Sequence, residues 1–167
     1  AASTNGATTS NLSVGVSTAT AGSLASTVSL NLVSNANGVS GLSNGAATTS
    51  GTPTAITTTG GVYDYAQAVY TGTTLAFGNV RTSGTVANQT VAFGNKTITN
   101  SSYQDSLNVS GSTANSFVTV GTITGLAAST NGATTSNLSV GVSTATAGSL
   151  ASTVSLNLVS NANGVSG

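Results

Sequence analysis

Apolar residues recur at every second position along much of this chain, the period of a strand with one face buried. Leu12, Val14 and Val16 alternate with small or polar residues, as do Val28, Leu30 and Leu32, and then Leu107 and Val109. Residues 116–124 (SFVTVGTIT) are β-branched and aromatic, which suits a pleated, half-buried surface. Shorter strands are predicted over 73–80, 88–93, 52–58 and 62–70. Turn residues punctuate these runs: Asn5-Gly6, Gly22-Ser23, Asn37-Gly38, Asn44-Gly45, Gly60-Gly61 and Gly111-Ser112. Pro53 stands at the start of a predicted strand, where a missing N–H is tolerated. Gly15 and Gly121, inside predicted strands, are expected at bulges or close approaches. No segment has helical periodicity, so the predicted class is all-β, with no helix longer than one turn.

The organisation follows from a repeat. Residues 127–167 reproduce residues 1–41 letter for letter, an offset of 126 residues. Identity over such a length points to tandem units of that period, far longer than a solenoid coil and about the size of one domain. With about seven predicted strands per unit, the expected architecture is a series of β-sandwiches. The chain is then a window on a longer array. Identical segments are expected to form the same strands, so any difference in their burial must come from their neighbours.

Residues 75–85 (LAFGNVRTSGT) resemble the Leu-x-Phe-Gly-x-Val-x-x-Gly-Thr opening of the immunoglobulin-like repeats called choice-of-anchor D or ASH-like domains. The order of the following segments is also similar, through SFVTVGTITGL to STATAGSLASTVSLNLVSN. Those domains occur in large, secreted, repetitive bacterial surface proteins. The resemblance implies an immunoglobulin-like β-sandwich opening near Thr73, with Leu75, Phe77, Gly78 and Val80 as its opening motif and Phe93 and Phe117 in its core. Residues 1–66 then hold the C-terminal half of one repeat, 67–72 a tether between repeats, and 73–167 the N-terminal two-thirds of the next. The second unit lacks a closing strand equivalent to 52–66. The continuing array supplies it in cis, the favoured route, or another chain donates it. Tyr63, Asp64, Tyr65 and Tyr70 are expected at the junction between repeats, with the tyrosines partly buried there. An exposed aromatic surface for adhesion or sugar stacking is the alternative for the tyrosines.

Composition removes most chemistry. Charged residues make up 2% of the chain, against about 25% in an ordinary domain. There is no His, Cys, Met or Trp, and the only charged side chains are Arg81, Lys96, Asp64 and Asp105. A histidine base, a thiol nucleophile and a usual zinc site are therefore excluded. Two Asp in separate segments do not make a calcium cage, and two cations do not neutralise a nucleic-acid backbone. No catalytic residue, cofactor, metal, nucleic-acid partner or membrane span is expected. Disorder competes with folding in a chain so rich in Gly, Ser, Thr and Asn. Hydrophobic residues at 38%, in strand register, argue for folding.

Three modification chemistries are worth weighing. Lys96 with a neighbouring Asn and Asp64 or Asp105 could form an intramolecular isopeptide bond, although a solvated lysine is the plainer reading. Sequons stand at Asn11, Asn88, Asn95, Asn100, Asn108 and Asn137, several of them expected from composition alone. The Thr/Ser stretch 47–59 is a candidate for O-glycosylation. The function expected is structural: a repeat of an extracellular surface fibre or sheath that associates with copies of itself. A passive adhesin stalk carrying its binding tip elsewhere is the alternative. A hydrolase or glycan-binding module fails for want of acids, histidines and a tryptophan platform.

Overall fold

The computed structural model describes residues 10–36, 41–46, 55–162 and 164–165. The Asn5-Gly6 and Asn37-Gly38 turns, Pro53 and most of the 47–59 stretch lie outside them. Among the described residues the chain is all-β, with single 3-10 turns at Ser101–Tyr103 and Thr130–Gly132. The first part contains β1 (Gly22–Ser23), β2 (Ser26–Ser29), β3 (Val33–Ser34), β4 (Gly45–Ala46), β5 (Ala55–Thr58) and β6 (Gly61–Val62). The second contains β7 (Ala68–Thr71), β8 (Gln89–Lys96), β9 (Ser106–Ser112), β10 (Val118–Val120), β11 (Thr122–Leu126), β12 (Ala128–Ser129), β13 (Ser136–Val142) and β14 (Ser155–Asn161).

The second part forms a sandwich-like body of two sheets. In one, β8 lies between β7 and β13, β13 also pairs with β10, and β12 runs parallel to the end of β8. In the other, β9 lies between β11 and β14. Alternation sends Val91 and Phe93 of β8 and Leu138 of β13 against Leu107 and Val109 of β9 and Ile123 of β11, and this cluster is the core. Phe93, Leu107, Val109 and Leu138 are each at most 2% exposed. The stretch 116–124 is extended but serves both sheets: β10 and β11 join at Gly121, whose N–H donates to the Ser139 carbonyl at 2.8 Å. One side of the body is closed by this switch.

The first part is thin. β2 pairs with β5, β3 with β4 and β1 with β6, all antiparallel and each an isolated two-stranded ribbon. Asn44 Oδ1 accepts from the Ala36 N–H at 2.9 Å and closes the β3–β4 connection.

Three expectations change. Residues 73–80 form no strand, because Gly72 and Gly78 take φ of +83° and +67° and turn the chain out of the extended region. Within this opening motif Leu75 packs on the core, Phe77 is half-buried and Val80 is 37% exposed. Phe117 is also half-buried rather than central; a Cβ on Gly148 would overlap its ring. Finally, 67–72 is not a bare tether, since β7 within it pairs with residues 92–95 of β8.

The identical segments differ most. Leu138 and Val140 are 1% and 4% exposed on β13, whereas their counterparts Leu12 and Val14 are 69% and 39% exposed with no strand at 10–18. Gly141 closes on Asn88 and Thr119, while nothing lies near its counterpart Gly15. Both copies carry the same alternation. Only the second has β8 and β10 beside it to bond its backbone and cover its apolar face.

Candidate functional site

The site with the most specific geometry is the passage between the two parts of the chain, at residues 61–67. β6 ends at Val62, and Asp64 already bridges to Gln104. The Asp64 N–H donates to the Tyr103 carbonyl and the Asp105 N–H to the Asp64 carbonyl, each at 2.9 Å. The single residue between them, Tyr63, lays its ring against Tyr103 with centroids 5.5 Å apart. No free linker separates the ribbons from the sandwich-like body. A side chain at Gly61 would press on the Tyr103 ring, 2.8 Å from its nearest atom, so the close approach requires glycine there.

Beyond Asp64 the chain is clamped to both sheets. The Ala66 N–H donates to Ser160 Oγ on β14 at 2.8 Å, and that hydroxyl donates to Asp105 Oδ2 at 2.8 Å. The Gln67 N–H donates to Asn95 Oδ1 at 3.0 Å. Asn95 is fully buried and uses its whole capacity. Its Oδ1 also accepts from Gln104 Nε2 at 3.0 Å, and its Nδ2 donates to the Asp105 and Leu126 carbonyls at 2.9 and 3.1 Å. Gln104 in turn donates to the Lys96 carbonyl and accepts from the Ile98 N–H, both at 2.8 Å. A satisfied buried network of this kind sets one geometry for the segment it holds.

The four expected junction residues are not equivalent. Tyr63 and Asp64 are in the clamp, and Asp64 Oδ2 additionally accepts from the Thr99 N–H at 3.1 Å. Tyr65 points away and is 80% exposed, because its neighbours on both sides face the body. Tyr70 sits on β7 and stacks on Phe93 at 5.2 Å, so it belongs to the body rather than to the passage. Asn95, Gln104 and Ser160 were not among the expected site residues. The sequence does carry a signal for Asn95: it follows Val91 and Phe93 at period two, a polar residue on an apolar face.

Asn95 has no room for a glycan in the folded chain. Asn100 spends its side-chain oxygen on the Ser102 N–H. Lys96 is exposed, which leaves an isopeptide bond without the burial its chemistry needs. The largest depression, about 530 Å³ between 75–82 and 143–151, has Arg81 as its one charged wall residue. Among the described residues no three metal-ligating side chains come together and no helix is long and apolar enough to cross a membrane. No protein-family model, curated protein or solved structure matches the chain.

Proposed function

We propose that the chain is a structural segment of an extracellular bacterial surface fibre or sheath, built from tandem immunoglobulin-like β-domains with a period of 126 residues. The observation that carries this reading is the passage at 61–67. Successive units in such an array would be joined by one stacked residue and a buried polar clamp, so a pull on the chain loads backbone ladders instead of a slack linker. Residues 64–71 belong to the end of one sequence period yet are built into the next body, which makes each boundary a shared structure. The near absence of charge removes repulsion between neighbouring fibres, and exposed Ser and Thr rows can bond laterally. The order of segments after Leu75 agrees with the choice-of-anchor D or ASH-like resemblance, and secretion to the surface is part of what that resemblance brings.

The test is to express several tandem copies of the 126-residue unit and image the product by electron microscopy. Filaments or bundles of constant width support the reading. Deletion of residues 52–70 from every copy should abolish them. Monodisperse, non-associating rods would instead favour the adhesin stalk, and flexible beads would refute both.

A further inference from the structure

One side of the sandwich-like body is closed by the β10–β11 switch; the opposite side is open. β14 is the outermost strand of its sheet. Leu158 pairs with the core residue Val109, and cross-strand partners share a face, so Leu156 and Leu158 point inward. They are nonetheless 36% and 41% exposed. Beside them lies an apolar groove of about 400 Å³, walled by Leu138 and Val140 on one sheet and by Val154 and Leu156 on the other.

The first copy of the repeated segment shows what that edge pairs with. There Val28 opposes Ile56 and Ser29 opposes Ala55, while Val33 opposes Ala46 and Ser34 opposes Gly45. The counterparts of Val28, Ser29, Val33 and Ser34 are Val154, Ser155, Val159 and Ser160, identical in sequence. In the second copy the last three pair with β9 instead. A strand has two edges, so one segment can hold β9 on one and the β4–β5 stretch on the other. Ile56 would then share a face with Val154, and Val154 lines the groove.

We propose that this groove is an acceptor site for β5 of a second copy of this chain, with Ile56 seated beside Val154 and β4 continuing the ladder along Val159 and Ser160. The proposal rests on the self-association read above and names the surface that performs it. The occupant gives up nothing in sequence terms. It exchanges residues 26–29, an exposed ribbon partner, for the identical 152–155, and Ile56 gains the apolar cover it lacks next to a 36%-exposed Val28. The added strand also covers the unpaired edge of β14, the kind of edge that β-proteins otherwise shield.

The probe is a synthetic peptide of residues 42–58 added to the full 167-residue chain, read by amide hydrogen exchange and by fluorescence anisotropy of a labelled peptide. Saturable binding with protection confined to residues 152–160 is expected. An Ile56→Asp peptide should bind at least roughly tenfold to a hundredfold more weakly, from the burial value of one large aliphatic side chain. A Val154→Asp chain should lose binding in the same way; the peptide variant keeps the test decisive if that chain misfolds. No binding, or equal binding by the Ile56→Asp peptide, overturns the site. If multi-copy chains carrying Ile56→Asp still form filaments, this site falls and the fibre reading stands. Peptide binding without filaments gives the converse.

Discussion

Leu12 and Leu138 occupy the same position of the same 41-residue sequence, so truncating each to Ala isolates tertiary context from local sequence. Leu138 is 1% exposed in the core cluster, and Leu12 is 69% exposed. Leu138→Ala removes three buried carbons, worth about 0.8 kcal/mol each, or roughly 2.4 kcal/mol in transfer free energy. The cavity left between Phe93, Val109 and Ile123 raises the cost to roughly 3–4 kcal/mol, inside the usual range for a buried leucine. Leu12→Ala removes the same atoms from a largely wet site and should cost less than about 0.5 kcal/mol. Urea denaturation followed by tyrosine fluorescence measures both, and at about 4–8 °C per kcal/mol the core variant should also melt at least roughly 12 °C lower. If the two costs agree within about 0.5 kcal/mol, the second copy is no better packed than the first, and the account of the body as the sole ordered core fails.

Asn95→Ala leaves the Gln67 N–H, the Gln104 amide and two carbonyls without their partner in a dry site. It should cost about 3–5 kcal/mol at about 1 kcal/mol per bond or more, and limited proteolysis should show cleavage at 63–67 before the body unfolds. Gly94→Ala would drive a Cβ into the Ala133 carbonyl, so roughly 2 kcal/mol or more of stability should be lost by denaturant titration. Thr97 Oγ1 is buried with no hydrogen-bond partner; Thr97→Val should raise stability by up to about 1 kcal/mol, and a loss of that size would show that the hydroxyl is in use.

Several features were legible in the residues alone. Alternation located β9, β13 and β14 and the run 116–124, because a period of two needs only the pleat and one apolar neighbour layer to become a strand. The all-β class and the two-copy organisation were also legible, and Tyr63 and Asp64 fell at the passage where the expected frame put them. Other features depended on distant partners. LAFGNV has the composition of a strand, but Gly72 and Gly78 turn it into a loop that lays Leu75 on the core and is held to Thr144 through Ser83 and Gly84. The clamp around Asn95 draws on residues 64–67, 104–105, 126 and 160, separations that no local pattern encodes.

By itself, then, the amino-acid sequence determined which residues are able to form strands and that one segment occurs twice. It did not determine which copy would be a strand. Residues 12–16 and 138–142 have the same propensities, the same alternation and the same glycine, yet only the second has its apolar face buried. The physical reason is that a strand's hydrogen bonds and its hydrophobic burial both belong to its neighbours: β8 and β10 flank the second copy, and no strand flanks residues 12–16.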